Sequence, residues 1–235
     1  MHDRIWYLQN CDLFEKLTEE QLNALERRSH FNRFPKGSPI YLPSQPADSV
    51  MLVADGLVKI CHLTVEGKVS TLAFVKVGEL FGELSLFDAE ERGEYCEAVE
   101  PTTVIRIPRG ILQTLMNNEL DIALGVTKLV GLRRLRIENR LRNLLFNSNH
   151  QKLTHLLLDL ADQFGITIEE GIRLGLKLSH QEMASLIGTT RETVTIVLGK
   201  MKADGLIGGQ RQSVVLTDIE RLAASVGRHR RSEGH

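Results

Sequence analysis

Cysteine is scarce in this 235-residue chain: Cys11, Cys61 and Cys96 are all it has, and they lie far apart. They form neither a disulfide framework nor a zinc or iron–sulfur spacing, so idle thiols in a reducing cytoplasm are expected. No apolar run approaches the ~20 residues of a membrane span. The start, Met1-His-Asp-Arg-Ile-Trp6, lacks a basic segment followed by an apolar one, so no signal peptide is expected. Catalytic patterns are missing too. There is no nucleophile–base pair and no phosphate loop of the transferase kind, and His30, His62, His150, His155 and His180 are dispersed. An enzyme is therefore not expected. Low-complexity tracts and long internal repeats are also absent.

What is present is enough apolar content, 42%, to fill one large core or two ordinary ones. The net charge of −1 hides an asymmetry. Residues 1–127 carry 12 Lys and Arg against 19 Asp and Glu, and residues 128–235 carry 17 against 11. An acidic front half and a basic back half suit a soluble module joined to one that binds a polyanion. The excess of basic residues behind is moderate, so specific contacts must supplement phosphate attraction.

The segment Leu178 to Leu198 reads as two short helices around a tight turn. Ser179 with Glu182 makes a capping box, and Met183, Ala184 and Ile187 follow at helical spacing. Gly188 ends the first helix, and Thr189 or Thr190 caps the second. Val194, Val197, Leu198 and Met201 form the second apolar stripe. A small Ala184 lets the helices approach, which predicts a helix-turn-helix with its second helix in the DNA major groove. Thr190, Arg191, Glu192 and Thr195 are the exposed candidates, since Arg reads guanine and Glu accepts from cytosine. Ser179, His180, Gln181, Thr193 and Lys200 complete the candidate DNA contacts on the two helices. An ordinary helical hairpin in a core is the competing reading.

Ahead of this, residues 12–29 read as a helix, and Phe31 to Ile107 as short strands punctuated by glycine. That spacing indicates a sandwich, barrel or roll, with Val65-Glu-Gly-Lys68 as a hairpin turn. Residues 109–118 read as a short helix and 120–146 as a long one. On the long helix Ile122, Val126, Leu129, Val130, Ile137, Leu141 and Leu144 approximate a coiled-coil seam, interrupted by Arg133, Arg134 and Arg136. Homodimerisation is expected; packing onto its own domain is the alternative. Asn147-Ser-Asn-His150 is the hinge candidate, and Lys152 to Phe164 the next helix. A connection through Gly165 and Glu169-Glu-Gly171 then leads into the helix-turn-helix. Gly205 to Leu216 reads as a wing, with Gln210, Arg211 and Gln212 at its tip and Arg211 a candidate phosphate contact. The tail Arg228-His-Arg-Arg231 is expected to be disordered.

A second motif, Gly78-Glu-Leu-Phe-Gly-Glu-Leu-Ser-Leu-Phe87, has glycines that allow a sharp bend whose N–H groups can cradle a phosphate. Glu83 can accept from a ribose hydroxyl, and Arg92 can pair with a phosphate. On spacing alone it is an ordinary turn. Together, these segments resemble, over residues 12–220 in order, the cyclic-AMP receptor protein / fumarate-nitrate regulator (CRP/FNR) family of bacterial transcription factors. The glycine motif looks like that family's phosphate-binding cassette, and Thr190-Arg-Glu-Thr-Val194 like the start of its recognition helix. Leu176-Lys-Leu-Ser-His-Gln181 is similar to the cyanobacterial nitrogen-control branch.

The resemblance implies an α+β architecture. Residues 1–118 would be a β jelly-roll effector domain of cyclic-nucleotide-binding type, 119–147 a dimerisation helix, and 148–235 a winged helix-turn-helix. It implies double-stranded DNA and RNA polymerase as partners, and a cyclic nucleotide or another small molecule as candidate effector. Gly82, Glu83, Leu84, Ser85, Arg92, Ile137 and Glu138 are the positions matching the effector contacts. A sensing module whose winged helix binds another protein is the alternative function.

Departures from the family pattern bear on mechanism. Cyclic-AMP binders usually follow the cassette arginine with Ser or Thr, then Ala; here Gly93 and Glu94 follow Arg92. Glu90, Glu91, Glu94, Glu97 and Glu100 crowd the region with carboxylates, which oppose an anionic ligand. Ile137 stands where an adenine-contacting hydroxyl is usual. Independence from cyclic AMP is expected, with a small acid such as 2-oxoglutarate, or no ligand, left open. Four cysteines for an oxygen-sensing cluster are lacking, and adjacent Cys61 and His62 on a strand face opposite ways, against heme. In the recognition helix Ile196 replaces a second arginine common in the family, and either touches a thymine methyl or joins the core. Replacing Arg191 by alanine should weaken binding to the cognate site by about 1–3 kcal/mol and relax one base per half-site, measurable by quantitative footprinting.

Overall fold

The computed structural model describes residues 4–9, 11–63, 69–87, 90–209 and 213–228. The chain divides into two compact units, Met1–Leu135 and Arg136–His235. The dividing point falls within one long helix.

The first unit opens with α1 (Arg4–Gln9) and α2 (Glu19–Arg28). The helix expected over 12–29 is thus shorter, because Thr18 caps α2 in a capping box with Gln21 and residues 12–16 form turns. An apolar period continues across the break, but the cap resets the backbone. Strands follow: β1 (His30–Phe34), β2 (Pro39–Tyr41), β3 (Ser49–Asp55), β4 (Val58–Leu63), β5 (Val69–Val75), β6 (Leu80–Phe81), β7 (Tyr95–Ala98) and β8 (Thr102–Pro108). They form two antiparallel sheets, ordered β1-β8-β3-β6 and β2-β7-β4-β5. The hairpin turn expected at Val65–Lys68 lies outside the described residues; β4 and β5 on either side of it pair as a hairpin requires.

Strand β3 explains the packing. Side chains alternate across a strand. Met51 and Val53 join Tyr41, Val58, Ile60, Val75, Phe81, Cys96 and Val104 between the sheets. Val50, Leu52 and Ala54 join Leu8, Phe14, Leu22 and Leu25 on the other face. The helices α3 (Arg109–Asn118) and α4 (Leu120–Phe146) close this second core through Leu112, Ile122 and Val126. All three cysteines are buried free thiols. Burial pushes Cys11 up to about 11 and raises Cys61 and Cys96 as well, which makes them poor nucleophiles.

The seam expected on α4 is therefore divided. Ile122 and Val126 are buried in their own unit, and Leu129 packs against the same core. Val130 and Leu144 are half-buried, and Ile137 and Leu141 are exposed, as are Leu124, Leu135 and Leu145 outside the seam.

In the second unit α5 (Asn149–Phe164) starts three residues earlier than the expected Lys152, because Ser148 caps it in a capping box with Gln151. The hinge candidate 147–150 is mostly cap and first helical turn. The stretch expected as a connection forms β9 (Gly165–Ile168) and β10 (Gly171–Leu174). These pair with the wing strands β11 (Ile207–Gly208) and β12 (Val215–Leu216) in one sheet, ordered β11-β12-β10-β9. The helix-turn-helix pair is α6 (His180–Ile187) and α7 (Arg191–Ala203), and α8 (Ile219–Ser225) follows the wing. Arg228, expected in a loose tail, pairs with Asp159 and Asp162 of α5. No helix among the described residues is long and apolar enough to cross a membrane. Removing the Ser148 cap with Ser148→Ala should destabilise the second unit by about 1 kcal/mol, read from urea unfolding followed by circular dichroism.

Candidate nucleic-acid interface and effector cassette

Local hydrogen bonds set the helix-turn-helix. The Glu182 N–H donates to Ser179 Oγ at 3.2 Å, and the Ser179 N–H donates to Glu182 Oε2 at 2.7 Å. Gly188 has φ 62°, a left-handed conformation that favours glycine, and its N–H donates to Ala184 O. Thr190, not Thr189, caps α7, accepting from the Thr193 N–H at 3.2 Å. Met183, Ala184 and Val194 are fully buried where α6 and α7 meet, and the small Ala184 lets them close. Arg140 on α4 donates from Nε and Nη2 to Leu186 O at 3.2 and 2.7 Å. It places a cation at the carbonyl end of α6, where the helix dipole favours one. Burial lowers the Arg140 pKa below its usual value, against the opposing effect of Asp159.

The outward face of α7 carries Arg191, Glu192, Thr195, Ile196, Gly199 and Lys200, all exposed. Thr190 and Gln181 are exposed beside it, while Ser179, His180 and Thr193 are half-buried. Thr195 Oγ1 donates to Arg191 O at 2.9 Å, so its single proton is engaged. The 2.8 Å contact between His180 Nδ1 and Thr195 Oγ1 then has the imidazole as donor. His180 and Thr195, expected as separate DNA contacts, thus form one unit, and Thr195 has no proton left to offer a base. Ile196 is exposed rather than in the core. Arg211 lies outside the described residues. Lys202, not singled out in the sequence, donates to Gly209 O at 3.2 Å and ties α7 to the base of the wing.

In the first unit the glycine cassette bends at Gly82, φ 71°, into a 3-10 turn over Glu83–Leu86. The side of Gly82 is closed: a Cβ there would come within 2.5 Å of Arg92 Nη1. The Arg92 guanidinium is buried, donates to Gly82 O at 3.1 Å and to Ser49 O, and reaches Ser49 Oγ at 3.3 Å. It also lies over the Tyr41 ring, 4.5 Å from its centroid. Ser85 Oγ donates to Gly82 O at 2.8 Å. Glu83 is buried and paired with Arg133, which also donates to Leu80 O. Leu84 is exposed.

The expected carboxylate crowd is partly engaged with local partners. Glu94 accepts from Tyr41 at 2.8 Å; Glu97 accepts from Tyr95 at 2.6 Å and pairs with Lys59 at 2.8 Å. Ile137 and Glu138 belong to the second unit, both on exposed positions of α4. Sequence reasoning missed Ser49 and Tyr41 as partners of Arg92, and treated Arg133 only as an interruption of the seam. An arginine breaking an apolar stripe was the available signal that a buried acid needed a partner. Among the described residues no group of His, Cys, Asp and Glu could hold a metal ion.

A family model described as a cyclic nucleotide-binding domain matches residues 31–119, and one described as a Crp-like helix-turn-helix domain matches residues 151–225. The chain is 30% identical to the cyclic AMP receptor protein of Thermus thermophilus, over 85% of this chain and 89% of that one. It is 30% identical to the global nitrogen regulator of Synechococcus elongatus, over 78% and 84%. The crystal structure of a CRP/FNR-family transcriptional regulator from Thermus thermophilus superposes with a TM-score of 0.67 at 28% identity, covering 84% of this chain and 98% of that one.

The buried Glu83–Arg133 pair generates a prediction. Arg133→Ala leaves a buried carboxylate unpaired and should destabilise the first unit by about 3 kcal/mol in chemical denaturation. Adding Glu83→Gln to that variant should recover most of the loss.

Proposed function

The chain belongs to the CRP/FNR family of DNA-binding transcription regulators, and we propose that it acts as a homodimer on a roughly palindromic promoter site without needing cyclic AMP. The outward face of α7 carries this reading: Arg191 and Glu192 stand exposed at the start of a capped helix whose other face is core. Two such helices enter successive major grooves about 34 Å apart. The candidate DNA contacts are Ser179, His180, Gln181, Thr190, Arg191, Glu192, Thr193, Thr195, Lys200 and Arg211. Among them Thr195 acts mainly through its link to His180.

Dimerisation is supported by α4. Ile137, Leu141 and Leu145 follow one another at four-residue steps and are each more than half exposed, a stripe that a second copy of the helix would cover. A hinge where α4 gives way to the Ser148 cap would let the effector domain set the angle of the DNA-binding unit.

Independence from cyclic AMP is supported by the cassette. A cyclic nucleotide would need the Arg92 guanidinium for its phosphate and the Glu83 carboxylate for its ribose, and both already have protein partners. No buried side-chain nitrogen or oxygen among the described residues lacks a partner. Ile137 offers no hydroxyl to an adenine. The residues present do not fit the nucleotide.

We assign the protein to activation through RNA polymerase in the cytoplasm. The edge strand β9, with Ile166 exposed, offers a candidate contact surface in the DNA-binding unit. In vitro transcription from a promoter carrying a site selected by the protein tests this: transcript should rise equally with and without cyclic AMP. Dependence on cyclic AMP, or its micromolar binding by calorimetry, overturns the independence from cyclic AMP, and a fall in transcript overturns activation. Leu141→Glu should convert the dimer to a monomer in sedimentation experiments and abolish binding to the palindrome.

A further inference from the structure

The second turn of α7 carries residues that neither the fold nor polar base reading explains. Val194, Leu198 and Met201 supply the buried side of this helix. Ile196 does not join them and is 72% exposed. Isoleucine is β-branched and not a favoured helix former, so nothing local calls for it at a solvent-facing position. Gly199, three residues on, lies on the same exposed face. A Cβ built there meets nothing within 4 Å, so packing does not require a glycine. An interior glycine weakens a helix. Its effect is to leave the surface beside Ile196 bare.

Thr195 completes this surface. Its hydroxyl proton goes to Arg191 O and its oxygen accepts from His180, so it has no proton to offer a base. The outward face of α7 thus changes character along its length. Arg191 and Glu192 at the start are charged; one turn later Ile196 is apolar and Gly199 carries no side chain. On the base edges of the major groove the one apolar group is the thymine 5-methyl. Ile196 follows Glu192 by four residues, about 6 Å along the axis and hence within about two base-pair steps of it.

Building on the DNA-binding reading of α7, we propose that Ile196 is a specificity-determining residue that selects a thymine by its 5-methyl group. Gly199 leaves room for the close approach, and the His180–Thr195–Arg191 hydrogen bonds fix the turn that presents the side chain.

The full-length protein is first used to select its site from duplexes with a randomised half-site. Each thymine of the selected site is then replaced by deoxyuridine, which pairs identically but lacks the methyl. One thymine per half-site should show a loss of about fourfold in affinity on replacement, the effect of one methyl group removed from contact. In Ile196→Ala that thymine and deoxyuridine should bind alike, while the bases read by Arg191 and Glu192 stay selected. Ile196 is exposed, so the variant keeps its fold. A selected site in which every deoxyuridine is neutral, or in which Ile196→Ala retains the methyl preference, overturns this proposal alone. Failure to select any sequence overturns the DNA-reading assignment of α7 together with it.

Discussion

Val50, Leu52 and Ala54 point into one core while Met51 and Val53 point into another, and this division of β3 between two cores organises the first unit. A strand buried on both faces must lie at the centre of its sheet, hydrogen-bonded on both edges. β8 and β6 occupy those edges. The position of β3 also fixes where its first residue, Ser49, presents its carbonyl. Arg92 donates to that carbonyl and to Gly82, so the cassette bend is fastened to the central strand by one buried guanidinium. A buried cation is tolerated only when its donors are satisfied, and here two carbonyls, a hydroxyl and an aromatic face satisfy it.

The same logic extends to the beginning of α4. Ile122 and Val126 hold it to the sheet by burial, and Arg133 holds it by pairing with Glu83. Both arginines thus fasten the cassette from within the first unit. The family's order of a β-rich domain, a long helix and a helix-turn-helix unit is retained, and Arg92 and Glu83 are engaged with protein partners. In the second unit Arg140 does a comparable job at the end of α6, where it supplies donors to a helix terminus that lacks them.

How much of this was legible depended on the range of the interactions. The helix-turn-helix could be read in detail because its determinants are local: Ser179 with Glu182, Gly188, and Thr190 with Thr193 all act within one turn of helix. The β-roll strands were visible as short runs between glycines. The hairpin of β9 and β10 was not, since its partner β12 lies some forty residues away, beyond the two helices α6 and α7. The start of α2 was misread because an apolar period alone cannot reveal that Thr18 interrupts it. Buried charges were the least legible: Glu83 and Arg133 are 50 residues apart, and Ser49 and Arg92 are 43.

By itself, then, the sequence determined most of the element types, the caps and the polar start of α7, because helix and turn preferences are settled within a few residues. Only the tertiary structure decided which of the candidate site residues are available. It engaged Arg92 and Glu83 inside the cassette, joined Thr195 to His180, buried Ile122 and Val126, and left Ile196 in solvent. The physical reason is that availability is set by desolvation and by pairing across the chain, and neither is encoded in the spacing of neighbouring residues.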